Sequence, residues 1–180
     1  EVTELTELVN ELVAVASGEL EEQPNERIDL PALAGEVAER VGRRRSRDVI
    51  VEVRNSAAVD APKSSLDRAI TNLVDNACKF DQSGGPIDVV VDGGTLTVLD
   101  RGPGIPAGEE ERIFDRFHRS DAARTMPGSG LGLSIVRDVV VRANGTVAAS
   151  AREGGGASIG FTLPVSPDWP VADSSATLAE

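Results

Sequence analysis

Apolar residues recur every three to four positions from 2 to 20, as Val2, Leu5, Leu8 or Val9, Leu12 and Val15 or Ala16, with glutamates between them. That spacing predicts an amphipathic helix, whose stripe suits a helical bundle or dimer seam, or packing on its own domain. GELEEQPNER (18–27) is polar, holds Gly and Pro, and reads as a linker. Asp29-Leu30-Pro31 then opens a helix to about Val41, with Asp29 as N-cap and Pro31 in the first turn. The basic run Arg43-Arg44-Arg45 after it reads as a solvated loop. Alternation over 49–53 predicts a strand, and a long helix follows from Pro62 to Phe80. IDVVVD (87–92) and TLTVLD (95–100) form a hairpin about Gly93-Gly94. Residues 101–130 are punctuated by Gly and Pro around one short helical stretch at 109–117, a length of loop that is usually functional and here suggests a lid. A helix from about Gly130 to Ala143 stops at Asn144-Gly145, and strands at 146–151 and 157–164 close the domain. The expected division is a helix over 1–20, a linker over 21–27, a domain over 28–164 and a disordered tail over 165–180.

Composition narrows the class. Hydrophobic content of 40% and charged content of 27% are globular values, and 180 residues suit one domain with appendages. A formal charge of −12 argues against nucleic-acid and anionic-membrane partners, so an anionic ligand must be met locally by basic residues, helix N-termini or a metal ion. Cys78 is the only cysteine, which excludes an intrachain disulfide and fits the cytoplasm. No apolar run approaches the roughly 18 residues needed to span a bilayer.

Three stretches carry candidate chemistry. On the 62–80 helix, Leu66, Ala69, Ile70, Leu73 and Ala77 share one face, and Asn72, Asn76 and Lys79 share another. Asparagine is a poor helix former, so two in mid-helix are either a solvated face or a functional one. Functionally, an amide oxygen is a hard neutral ligand that holds magnesium without repelling phosphates, and Lys79 adds a point charge. In DRGPGIP (100–106), Asp100 ends a strand and the glycines allow a tight turn. This is a simple turn, or a site whose carboxylate accepts from the amino group of adenine and repels the guanine carbonyl. In ERIFDRFHRS (111–120), Phe114 and Phe117 sit one turn apart beside Arg112, Arg116 and Arg119. Both rings can anchor a mobile loop, and an arginine there can swing to a γ-phosphate. GSGLGLS (128–134) sets Gly128, Gly130 and Gly132 where a loop enters a helix, suited to phosphate oxygens.

In order, NLVDNACKF (72–80), DRGPGIP (100–106), IFDRFHR (113–119) and GSGLGLS (128–134) resemble the N, G1, F and G2 boxes of bacterial two-component sensor histidine kinases. The likeness extends over 28–164, and 1–20 resembles the end of a dimerisation helix. It implies an α+β fold, a two-layer α/β sandwich whose mixed, mainly antiparallel sheet is covered on one face by helices, with a Bergerat-type ATP site under a lid. It further implies that Asn76 and Asn72 hold Mg2+, that Lys79 touches phosphate beside Phe80, and that Asp100, Gly102, Gly104 and Ile105 hold adenine. Arg119, with Arg116 second, matches the F-box arginine, and Gly128, Ser129, Gly130, Leu131, Gly132 and Leu133 wrap the triphosphate. Related ATPases carry a glutamate base where this chain has Asn72, which points to phosphoryl transfer in place of hydrolysis. His118 lacks the acceptor pattern, so the resemblance places the acceptor histidine upstream, in a homodimeric parent anchored in the cell membrane and serving a response regulator. A regulatory ATP-binding module, anti-sigma-like or non-catalytic, is the alternative.

Overall fold

The computed structural model describes residues 23–119 and 129–167. Its elements are β1 (Glu26–Asp29), α1 (Leu30–Arg45), β2 (Val49–Asn55), β3 (Ala58–Ala61), α2 (Lys63–Phe80), β4 (Ile87–Asp92), β5 (Thr95–Leu99), a 3-10 turn (Arg112–Phe114), α3 (Gly132–Arg142), β6 (Thr146–Ala151) and β7 (Ala157–Thr162). β2-β4-β5-β7-β6 form one sheet. Only β2 and β4 run parallel in it. The helices pack on one face, giving the α/β sandwich expected. Among the described residues no helix is long and apolar enough to cross a membrane.

Alternation in the strands explains the layers. Val89 opposes Val98 and Val91 opposes Leu96, while Val98 opposes Ile159 and Leu96 opposes Phe161. All six are buried, and they make the sheet face on which the helices lie. Asp88, Asp92, Thr97 and Thr162 alternate onto the other face. Gly160 lies there too, because a Cβ on it would come 2.2 Å from Leu96 O in the neighbouring strand.

α1 starts as its sequence predicts, with Asp29 Oδ1 accepting from Ala32 N at 3.0 Å and Pro31 in the first turn. It continues to Arg45, so the basic run is the helix's last turn and not a loop. Basic side chains there suit the exposed carbonyl end of a helix. They also meet acids on α2. Arg45 Nε reaches Asp75 Oδ1 at 2.8 Å with Arg44 on the other oxygen, and Arg40 reaches Asp67 at 2.7 Å. Each such exposed pair contributes little alone. Together they fix the direction of α1 across α2.

Four further differences are local. Glu26 and Arg27, expected at the end of a linker, belong to β1, which pairs antiparallel with β3, a strand too short to leave a periodic signal. Val165 and Ser166, expected in a disordered tail, are held on β3: Val165 bridges Val59, and Ser166 donates its N–H to Ala58 O and its hydroxyl to Asp60, both at 2.8 Å. The helical stretch at 109–117 shrinks to one 3-10 turn, and α3 begins at Gly132, two residues later than expected. The amphipathic stretch over 2–20 and the tail from 168 lie outside the described residues.

α2 joins these layers, burying Leu66, Ala69, Ile70, Leu73, Val74 and Ala77 in the common core. Leu73 is 1% exposed. Leu73→Ala is expected to lower unfolding free energy by about 2–5 kcal/mol through lost transfer energy and a residual cavity. Urea denaturation of the 180-residue chain checks it.

Candidate nucleotide site

Because α2 buries one face, Asn72, Asn76 and Lys79 stand half-buried on the side that meets α3 and the lid. Asn72 Nδ2 donates to Gly132 O at 3.3 Å, at the first turn of α3. That bond turns its carbonyl oxygen away, free to act as a ligand. A Cβ on Gly132 would stand in ordinary contact with Asn72 Cγ at 3.9 Å, so the two residues are direct neighbours. Lys79 Nζ lies 5.2 Å from the Phe80 ring centroid, a cation–π distance at the end of the same helix. Among the described residues no group of three His, Cys, Asp or Glu is placed to hold a metal. The polar side chains that α2 presents beside Lys79 are the neutral amides of Asn72 and Asn76.

Asp100 follows β5 directly and is 4% exposed. Its Oδ1 accepts from Gly102 N at 2.8 Å and Ala157 N at 3.1 Å. Both bonds land on one oxygen, which leaves Oδ2 to accept from a ligand. The backbone around it is equally confined: Asp100 N donates to Ala157 O at 3.0 Å, and Arg152 Nη1 donates to Asp100 O at 3.3 Å. Gly102 is needed because a Cβ would come 2.8 Å from Phe80 O. Gly104 has φ 80° and faces Gly156 O, and Ile105 is half-buried against the core.

The two lid phenylalanines divide. Phe114 is buried at 3% exposure and anchors the loop on the core, whereas Phe117 is 67% exposed with φ 63°. A left-handed phenylalanine is strained, and it persists because Phe117 N donates to Gly130 O at 3.2 Å. The arginines divide as well. Arg116 pairs with Asp138 on α3 at 2.9 Å, pointing along the outer side of that helix. Arg119 is half-buried beside the glycine segment, its Cγ within 3.1 Å of where a Gly130 Cβ would be. In that segment Gly130 has φ 78°, Ser129 Oγ accepts from Leu131 N at 3.2 Å, Leu131 is buried, and Leu133 packs against the core. Gly128 lies outside the described residues. α2, the β5 end, the lid turn and the α3 start thus bring Asn72, Arg119 and the Gly130–Leu133 run together, with Asp100 beside the C-terminal end of α2 at Phe80.

Sequence reasoning passed over a charged cluster behind Asp100. Asp81 is buried, and Arg47, Arg101, Asp88 and Arg152 interlock around it. The Asp81-Gln82-Ser83 spacing is a legible Asx-type turn, with Ser83 N donating to Asp81 Oδ1 at 2.8 Å. Nothing local in the sequence announces Arg47 or Arg152 as its companions.

A model for the histidine kinase-, DNA gyrase B- and HSP90-like ATPase family matches residues 61–167, which include all of α2, the lid and α3. This chain belongs to that family. Its curated relatives include signal transduction histidine-protein kinases. The signal transduction histidine-protein kinase/phosphatase MprB of Mycobacterium tuberculosis strain H37Rv is 37% identical over 92% of this chain and 34% of its own length. That of Mycobacterium sp. strain KMS is 39% identical over 82% of this chain and 30% of its own. The chain therefore spans about a third of the length of the curated relatives it matches. Among solved structures, the mycobacterial sensor histidine kinase MprB superposes with TM-score 0.69 at 38% identity, covering 79% of this chain and 99% of that one. Full-length ShkA in complex with AMPPNP gives 0.73 at 27% identity, over 90% of this chain and 36% of that one. Over the matched residues the chain has the ATPase fold of that family.

The two buried carboxylates titrate in opposite directions. Burial raises the Asp100 pKa above the ordinary aspartate range, more than the Gly102 and Ala157 N–H groups lower it, and the charge of Asp81 adds to the rise. Burial acts on Asp81 in the same sense, but the Ser83 hydroxyl and N–H, the Arg101 N–H and Arg47 outweigh it and hold Asp81 below that range. A folded pKa above the unfolded one means the folded state binds the proton more tightly, so Asp100 costs stability as pH rises through its folded value. Asp81 does the reverse, stabilising at neutral pH and losing that contribution as pH falls through its own value. Asp100→Asn is accordingly expected to raise the ligand-free melting temperature at neutral pH, with the gain shrinking as pH falls through the Asp100 titration. Thermal melts of both proteins across acid to neutral pH check it.

Proposed function

We propose that this domain binds Mg-ATP between α2 and the 101–131 lid and presents the γ-phosphoryl group to a histidine on a dimerisation domain of the same sensor kinase, for relay to a response regulator. The observation that carries the reading is Asp100: a buried carboxylate at the end of a strand, one oxygen engaged by two backbone N–H groups and the other left for a donor. An adenine amino group is such a donor. Gly102, Gly104 and Ile105 let the base lie against the loop. Phe80 closes the end of α2 nearest to it.

The other end of the nucleotide is anionic, and this acidic chain must offset that charge locally. Asn76 and Asn72 would hold Mg2+ through their amide oxygens, and the ion would supply positive charge against the phosphates. Lys79 contributes one positive charge on the same helix. Ser129 to Leu133, with Gly128 before them in the sequence, lie at the start of α3, where the partial positive charge of the helix favours phosphate. Arg119 approaches the γ-phosphate as the lid closes, and Arg116 serves next to it only if its bond to Asp138 opens.

Phosphoryl transfer needs chiefly positioning and charge stabilisation, and this site supplies both while lacking a base. Asn72 stands beside Gly132, where an ATPase of this family places a carboxylate, and an amide cannot take a proton from water at neutral pH. The full-length parent is read as a homodimer anchored in the bacterial membrane, with this domain on the cytoplasmic side. The kinase names of the relatives favour this reading over a purely regulatory ATP-binding module.

Asp100→Asn tests the base contact. The amide oxygen must take over the Gly102 and Ala157 N–H bonds, which turns the NH2 group toward the ligand, donor against the adenine donor. Calorimetry is expected to show ATP affinity falling at least about tenfold, with inosine triphosphate, whose base has a carbonyl in place of that amino group, binding as well as or better than before. An unchanged preference for ATP would sink the reading.

The metal and phosphate end is tested separately. Asn76→Ala is expected to weaken ATP binding about tenfold in magnesium and to leave binding in EDTA nearly unchanged. The unaltered chain incubated with γ-labelled ATP is expected to stay unlabelled and to release little phosphate. Rapid hydrolysis abolished by Asn72→Ala would overturn the assignment of Asn72.

A further inference from the structure

Asp81 is the C-cap residue of α2, and its side chain is fully buried. A buried carboxylate is stable only when its lone pairs are met. Oδ1 accepts from Ser83 N at 2.8 Å and from the Ser83 hydroxyl, and the Arg47 guanidinium lies 3.4 Å away. Oδ2 accepts from the backbone N–H of Arg101 at 3.0 Å. Arg47 is fixed in turn, donating to Asp81 O at 2.7 Å and to Gly85 O at 2.6 Å. Its Nε is buried without a partner, a desolvation cost the other bonds must offset.

The Arg101 bond matters because of its neighbours. Arg101 follows Asp100, and Gly102 beyond it lies so close to Phe80 O that a Cβ would come 2.8 Å from it, so the turn that carries the base-facing carboxylate meets the end of α2 at Arg101 and Gly102. α2 also carries Asn72, Asn76 and Lys79. The distance from the base end of the site to its phosphate end is thus set across one joint, and Asp81 is the only side chain among the described residues that bonds the 101 N–H there. On the opposite side Arg152 holds Asp100 O at 3.3 Å and Asp88 at 3.1 Å, and Arg101 also reaches Asp88, at 2.9 Å, which stiffens the turn without touching α2.

We propose that Asp81 is a positioning residue for base selection: through the Arg101 N–H it locks the Asp100 turn to the C-terminal end of α2, so that Oδ2 of Asp100 meets the adenine amino group while the triphosphate engages α2 and α3. Asp81 touches no ligand. The inference rests on the ATP reading above and adds to it a residue that decides which base is accepted.

A structural role alone would weaken all nucleotides together, whereas a positioning role weakens only the contact that Asp100 makes. The test is calorimetric titration of the 180-residue chain with ATP and with inosine triphosphate in magnesium, beside amide hydrogen exchange without ligand. In Asp81→Ala the ATP preference over inosine triphosphate is expected to fall about tenfold, with inosine triphosphate affinity little changed and Arg101 N–H exchange accelerated. Arg40→Ala, which breaks a surface clasp to Asp67 elsewhere on α2, controls for lost stability and should leave the preference intact. Asp81→Ala also strands the Arg47 charge, so the double variant Asp81→Ala/Arg47→Met, with both charges gone, carries the same test if the single variant does not fold.

Equal loss for both nucleotides, or a preference retained with slow Arg101 exchange, overturns the inference while leaving the ATP reading standing. If the unaltered chain shows no preference for ATP, or Asp100→Asn does not abolish one, the ATP reading itself fails.

Discussion

Burial of the apolar face of α2 on the sheet is the constraint from which the site follows. Leu66, Ile70, Leu73 and Val74 are committed to the core with Val89, Val98 and Phe161, and this leaves no rotational freedom to the residues between them. Asn72, Asn76 and Lys79 are consequently aimed by hydrophobic packing, a force that does not depend on ligand or ionic strength. The polar groups proposed to meet a highly charged ligand are thus placed by contacts that carry no charge.

The lid works by a different balance. Phe114 anchors it on the core with Ile105 and Ile113 packed alongside, and exposed pairs such as Arg116 with Asp138 and Arg137 with Asp115 at 3.2 Å lie around them. Surface ion pairs of this kind are worth about 0–1 kcal/mol each. The left-handed backbone at Phe117 works against the loop's resting shape. The described part of this segment is thus held by weaker contacts than the buried face of α2 beneath it.

Elements with a strong period were legible in the sequence: α2, the hairpin about Gly93-Gly94 and the closing strands were placed within a few residues because apolar spacing and glycine turns are local signals. β1 and β3 were not, since four-residue strands that pair across an intervening helix and strand have no period to read. The end of α1 was misjudged because arginine runs look solvated, and their partner Asp75 is 30 residues away. The candidate ligand groups were legible because amide, carboxylate and glycine chemistry is unusual at those spacings. What holds them was not: Arg47 meets Asp81 across 34 residues and Arg152 meets Asp100 across 52. Supporting shells are assembled by topology, which single-residue chemistry does not encode.

The short β1–β3 ribbon has a mechanical meaning. The chain reaches the domain through β1, whose four backbone pairs run from Glu26–Ala61 to Asp29–Ala58, and the last described residues are laid on β3 by the Val59–Val165 bridge. Asp60 sits between them, 4.0 Å from Arg27 on one side and 2.8 Å from Ser166 on the other. β3 leads directly into α2. One ribbon thus ties the first described strand and the last described residues to the first turn of the helix that carries the amide row.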